Sequence, residues 1–244
     1  MSVRLILFVL MFLVAAPAAF SQMAGRSIRE FDVLPGNDAE TNGKNLQNAI
    51  DWAAGRGAAL FVEPGQEPYH VKGGVLLKAN ASLIGAHGPV GRGTKHPEKP
   101  QPVGSVFRIT DKENPFLTVQ SSTQIRGIQF WYPEQTISDP KAIIEYPPTI
   151  QVDQKSKVEG VTLSSLTFYG EYIAMDFHAS PEFPCEQIIA EHCYGYPLGG
   201  EFFRINYCYD IPRILHCHVN PANLRQFRGG YSRAVIDSVI SRKT

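Results

Sequence analysis

Net charge is missing from this chain, whose 244 residues set 23 Lys and Arg against 23 Asp and Glu. A general nucleic-acid binder needs a basic excess to neutralise phosphates, so that class of partner is excluded and any attraction for an acidic polymer must be local. Charged residues are few, 19% against 43% hydrophobic, which sets aside both a disordered chain and one embedded in a membrane beyond its first residues. Walker-type, Rossmann, zincin and GxSxG patterns are absent, and with them the chemistries they mark. Between Lys157 and Pro221 no apolar run is long enough for a helix.

One apolar run does stand at the start. Arg4 supplies a positive end, Leu5 to Val14 the apolar stretch, and AAPAAFSQ a small-residue region, which together predict an export signal over residues 1–21, cleaved after Ser21. The run is short for a membrane span, and no cysteine follows it to take a bacterial lipid anchor. The mature chain, residues 22–244, is expected to be secreted or periplasmic, with no membrane partner. It is long enough for one domain with a sizeable core.

What fills the chain is a repeating coil. From Lys157 to Pro221 short apolar runs return between Gly, Pro, Asn and Asp: Val161/Leu163, Leu166/Phe168, Met175/Phe177, Ile188/Ile189, Phe203/Ile205 and Leu215/Cys217/Val219, most of them alternating at strand spacing. The segments HCYGYP, from His192, and HCHVNP, from His216, echo each other about one coil apart. One coil cannot bury its own apolar face, whereas stacked coils can. The pattern predicts an all-β, parallel β-helix with coils over 103–221.

The four cysteines follow the same period: Cys185 and Cys208 lie about one coil apart, as do Cys193 and Cys217. Adjacent rungs are roughly 4.8 Å apart, within reach of a disulfide. Two stacks of buried thiols are the equal alternative, because free cysteine is a good small core residue and connectivity cannot be read from sequence.

Before the coils, Leu46, Ala49, Ile50 and Ala53 follow i, i+3, i+4, i+7, which predicts a one-faced helix over Lys44 to Arg56, entered through Asp38 to Asn42 and left through Gly55 and Gly57. Short strands follow at Leu60 to Val62, Tyr69 to Val71, Val75 to Leu77 and Ser82 to Ile84. A helix leading into strands caps the open end of a coil, here residues 28–85. The order of motifs resembles the N-terminal region of the pectate-lyase superfamily, in its glycosyl hydrolase family 28-related branch. Gly36, Asn37 and Asp38 stand at that branch's GD position, Asn48 to Trp52 at its helix, Pro64 and Gly65 at its PPG turn and Gly85 at its final turn. The resemblance covers roughly residues 30 to 90 and implies a right-handed parallel β-helix. It is specific for fold and not for activity, since members include lyases, hydrolases and phage tailspikes.

Two segments interrupt the coil. AHGPVGRGTKHPEKPQPVG is an irregular loop whose Arg92 and Lys95 are candidates for binding an acidic polymer, read equally as a solvated charged loop. PEQTISDPKAIIEYPP projects after a strand, with Trp131, Tyr132 and Tyr146 at its edges. Flat rings suit sugar faces, and they also lock loops against cores. After Pro221 the tail 222–244 loses the pattern, and only AVIDSVI offers one more strand or a short helix. An uncapped end exposes unpaired backbone, so a C-terminally incomplete member, or one that borrows its cap from another chain, is expected. Oligomeric state stays open.

Alternation then selects the polar residues that face out. If Met175 and Phe177 point in, Asp176 and His178 point out; if Leu215, Cys217 and Val219 point in, His216 and His218 point out. Under the resemblance, a uronate lyase needs a base and a neutralising cation, either Arg or a metal such as calcium, while a hydrolase needs an acid and a carboxylate flanking the bond. The candidate catalytic set is Asp176, Glu191 and Asp210 as carboxylates, Arg204 and Arg213 as neutralising charges, and His178, His216 and His218 as bases. The Asp and His residues read equally as groups that satisfy turns, and Asp210 with Arg213 as a surface ion pair. An inward Cys193 also turns Glu191 inward unless a turn separates them. His192, His216 and His218 lack a tight ligand motif, so no metal is assigned.

The NTD, paired-Asp, GHG and RIK segments of polygalacturonases are absent, as is the arginine run around proline of extracellular pectate lyases. The expected function is an exported polysaccharide-active protein, a lyase or glycoside hydrolase acting on an acidic polysaccharide such as pectin. A non-catalytic carbohydrate-binding or adhesion β-helix, or an inactive truncated homologue, is the alternative.

Overall fold

Backbone stacking dominates the computed structural model, which describes residues 25–86, 104–135, 140–195, 197–199, 201–219 and 233–236. The expected signal segment, Arg92, Lys95 and most of the tail lie outside these residues. Three sheets run along the coil axis, and every pairing in them is parallel. The first sheet stacks Arg26–Ser27, Ala59–Val62, Ser82–Gly85, Thr123–Arg126, Val158–Ser164 and Cys185–Glu191, then Cys208–Tyr209 and Arg213–Leu215 end to end on one further rung. The second stacks Val75–Leu77, Leu117–Val119, Ile150–Val152, Ile173–His178, Glu201–Asn206 and Arg233–Ile236. The third stacks Tyr69–His70, Ser105–Arg108, Ile128–Trp131, Thr167–Tyr169, Tyr194–Gly195 and His218–Val219. This is the expected right-handed parallel β-helix, and Arg233–Ile236 is a strand that overlaps AVIDSVI, where one more strand or a short helix is expected.

In-register stacking places like on like. Leu60, Leu83, Ile125, Leu163, Ala190 and Ile214 form one inward column. Val75, Leu117, Ile150, Met175 and Phe203 form another. In the third sheet Tyr69, Phe107, Phe130 and Phe168 are register partners, with ring centroids 6.2, 6.4 and 5.1 Å apart along the column. Phe116 enters from the side, 5.7 Å from Phe130.

The helix spans Ala39–Ala54, five residues earlier than its apolar spacing predicts. Asp38 is the reason: its side chain accepts from the Thr41 amide at 2.7 Å and caps the first turn. Asn42 is fully buried inside that turn, donating to the Leu34 and His70 carbonyls at 2.8 and 2.9 Å and accepting from the Leu34 amide at 3.0 Å. Gly43 sits on the helix where a Cβ would crowd Lys72 at 3.3 Å. Leu46, Ala49, Ile50 and Ala53 close the N-terminal end of the core.

Corners between the first and third sheets repeat as well. Gly127, Ser165, His192 and His216 all adopt left-handed backbone. The amides of Gly127, Ser165 and His192 each donate to the carbonyl at the end of the next coil's strand, Ser164, Glu191 and Leu215. A left-handed corner resets which way side chains alternate, so Glu191 faces out while Cys193 faces in. Leu215, expected inside, is 43% exposed for the same reason, and Ile214 takes the inward place.

Phe130→Ala deletes the ring that touches Phe107, Phe116 and Phe168 together. It should destabilise the protein by about 3–5 kcal/mol, read as a lowered urea midpoint; a loss below about 1 kcal/mol would contradict a tightly packed column.

Candidate functional site

The outer face of the second sheet carries a groove of about 480 Å³ lined by Gln151, Gln154, Asp176, His178, Glu201, Arg204 and Ile205. Its floor is a register column: Gln151 lies opposite Asp176, and Asp176 opposite Arg204, on three successive coils. Stacking alone thus brings together residues 53 positions apart in the sequence, from 151 to 204.

One guanidinium organises the groove. Arg204 Nη1 donates to Asp176 Oδ2 at 3.4 Å, and Arg204 Nε donates to Glu201 Oε2. The other Asp176 oxygen accepts from the His178 amide at 2.9 Å. Side-chain exposure is 16% for Asp176, 26% for Glu201 and 38% for Arg204, so the cluster is partly shielded and still open to a ligand. Burial works against the Arg204 charge, but Glu201 and then Asp176 outweigh it and hold its pKa above the ordinary value. The His178 side chain is exposed at the groove wall, and Gln154 Nε2 donates to the His178 carbonyl at 2.9 Å.

Of the sequence candidates, Asp176, His178 and Arg204 meet here. Glu191 and Arg213 face out from the first sheet, opposite Leu215 and Ile189. Asp210 accepts from Gln187 Nε2 at 2.7 Å, and among the described residues no ion pair joins it to Arg213. His216 stacks on His192 at 5.2 Å on a corner, and His218 stacks on Tyr194 at 5.9 Å on the third sheet. Trp131, half-buried, ends a third-sheet strand opposite Tyr169. Tyr132 and Tyr146 are 3% and 1% exposed with rings 4.7 Å apart, and the Tyr132 hydroxyl meets Thr149 Oγ1 at 2.7 Å. Burial raises the pKa of both phenols, that of Tyr146 to about 12. These two rings pack the base of the projecting segment and present no face to a sugar, a correction to their reading as substrate contacts.

Sequence reasoning missed Gln151, Gln154 and Glu201. Glu201 meets Arg204 only because the strand is irregular between them, whereas Gln151 is found by stepping back one coil from Asp176. Among the described residues no group of three or more His, Cys, Asp or Glu is placed to hold a metal ion. No helix among them is long and apolar enough to cross a membrane.

No protein-family model and no curated protein matches the chain. Among solved structures, a provisionally named glycosyl hydrolase from Parabacteroides merdae ATCC 43184 aligns over 81% of this chain and 96% of its own, at 10% identity and a TM-score of 0.45. At that level the likeness bears on neither the activity nor the substrate of this chain.

The turn that carries Gln154 depends on Asp153. Burial pushes the Asp153 carboxyl up, but bonds from Gln120 Nε2, the Lys155 amide and Ser156 Oγ, at 2.9, 3.0 and 3.0 Å, outweigh it and hold its pKa below the ordinary carboxylate value. A depressed folded-state pKa gives stability that is present above the unfolded value, about 3.9, and is lost as pH falls through the folded one. Asp153→Asn should therefore cost about 1–2 kcal/mol at pH 7, and urea titrations of the two proteins should converge as the pH drops below the carboxylate range.

Proposed function

We propose that this protein is a carbohydrate-active member of the pectate-lyase superfamily that works outside the cytoplasm, a glycoside hydrolase using the second-sheet groove. The observation that carries the reading is the pair of carboxylates, Asp176 and Glu201, held on one guanidinium in an open groove. Superfamily membership rests on the motifs between residues 30 and 90, and export on the apolar start of the chain.

Glycoside hydrolysis needs a carboxylate facing the developing positive charge at the sugar carbon and a proton for the leaving oxygen. Asp176 and Glu201 supply carboxylates at a separation set by Arg204. His178, exposed beside them, supplies an imidazole that can hydrogen-bond the leaving oxygen or a water. The amides of Gln151 and Gln154 offer donors and acceptors to sugar hydroxyls. Hydrolysis of a neutral or weakly charged glycan is favoured over lysis of a uronate polymer. Arg204 already faces two carboxylates, so the described lining carries two negative groups against one positive, and a uronate would meet repulsion unless a cation came with it.

The test is incubation of the full-length protein with a panel of neutral and acidic polysaccharides, scored both for reducing ends and for unsaturated ends. New reducing ends without unsaturation are expected, and Asp176→Asn and Glu201→Gln should each slow release roughly 10²–10⁴-fold. Unsaturated ends from a uronate polymer would replace the hydrolase by a lyase. Polymer binding with no product, unchanged in both variants, would select a non-catalytic adhesion coil instead.

A further inference from the structure

We propose that the four cysteines close as two disulfides, Cys185–Cys208 and Cys193–Cys217, stapling the last coil to the one before it. The register sets up both pairs. Cys185 and Cys208 are direct partners on adjacent parallel strands of the first sheet. Tyr194 and His218 are direct partners in the third sheet, and the His218 amide donates to the Cys193 carbonyl at 2.8 Å, which sets Cys193 opposite Cys217 one residue earlier. Adjacent parallel strands put such partners roughly 4.8 Å apart, inside the Cα separation of about 4.4–6.8 Å that a disulfide spans.

In the structure all four are free thiols, and each inner thiol feels its register partner across the rung. One coil earlier the same core columns hold Val158, opposite Cys185, and Leu166, which precedes the partner of Tyr194. Cysteine therefore enters both columns only on the last two coils, twice in each, and the chain has no other. A core that merely needed small apolar residues would not confine all four to two facing pairs.

Access orders the chemistry. Cys185 and Cys193 are fully buried, whereas Cys208 is 6% exposed and Cys217 half-buried, so in each pair the outer member belongs to the terminal coil. Contact with the partner thiol and burial both push Cys185 and Cys193 above the ordinary thiol pKa, which leaves the first attack to the outer members. With glutathione disulfide as oxidant, the Cys208 or Cys217 thiolate attacks one sulfur and releases one glutathione. The inner cysteine then loses its proton, attacks the protein sulfur of the mixed disulfide and releases the second. Each bridge passes two electrons and two protons to the oxidant, which leaves as two glutathione molecules.

The bridges bear on the groove. Glu201 and Arg204 lie between Cys185 and Cys208 in sequence, and also between Cys193 and Cys217. Both staples therefore close loops that contain the strand carrying them, and fix that coil to the one beyond it.

The experiment takes the full chain purified with reduced thiols, oxidises it in a glutathione redox buffer both folded and during refolding from urea, and maps the peptides without reduction. Expected are no free thiols, two cross-linked peptide pairs with the stated connectivity, and a thermal midpoint about 5–10 °C above that of the reduced protein. In Cys185→Ala, the Cys193–Cys217 bridge should persist and Cys208 should remain titratable or take up glutathione. Four free thiols after both treatments of the wild type, or any other pairing, overturns the proposal whether or not the variant folds. Neither readout depends on a polysaccharide, so its outcome is independent of the proposed activity.

Discussion

Parallel, in-register backbone pairing is the constraint from which the rest of the molecule follows. A coil makes few hydrogen bonds within itself; its amides and carbonyls are satisfied by the coils on either side. Once the register is fixed, a residue's neighbours along the axis are chosen as well, and the core becomes a set of columns rather than a set of layers. The Tyr69, Phe107, Phe130 and Phe168 column shows what this demands of the sequence: rings recur at one place in each coil, at spacings that let them stack or meet edge to face. The same geometry places an isologous column of polar groups on the outside, and Gln151, Asp176 and Arg204 are that column.

An endless stack needs a beginning, and the Ala39–Ala54 helix supplies it by laying its apolar stripe over the first coil. Asn42 fixes the seat. Buried and polar, it meets chain from two directions, Leu34 before the helix and His70 after it, so that the cap is joined to the coil by hydrogen bonds as well as by apolar contact. Lys72 adds an exposed ion pair to Glu40 on the same helix, at 2.6 Å, which contributes little beside the buried amide.

The architecture was legible in the sequence because alternation and coil period are both written into it. Val161 and Leu163 point inward as their spacing requires, and the two HC-containing segments lie on successive coils. The helix start was less legible: Asn42 and Gly43 look like residues of an entry loop, and the Asp38 cap together with the tertiary contacts of Asn42 makes them helical. The site was legible in part. Asp176, His178 and Arg204 follow from alternation within a single sheet, where one outward direction applies. Alternation cannot place Glu201, because Phe202 and Phe203 beside it are both buried and the strand shifts register there against its outer neighbour. Glu191 and Arg213 also face out, but from the first sheet, while His216 lies on a corner and His218 on the third sheet, so that outward there means a different face from that of the groove.

Corners therefore decide function as much as strands do. The left-handed residues at Ser165, His192 and His216 turn the chain from the first sheet to the third, the Ser165 and His192 amides bonding to the coil beyond and the His216 ring stacking on that of His192. A non-glycine residue bears some strain in that conformation, and the stack holds it there because releasing one corner would break the register of two sheets at once. That rigidity is what an open groove on a sheet face requires: the positions of Asp176, Glu201 and Arg204 are held by backbone several coils deep. The last described coil, supported from one side alone in the first and third sheets, is where that support is thinnest, and it carries the outer member of each cysteine pair.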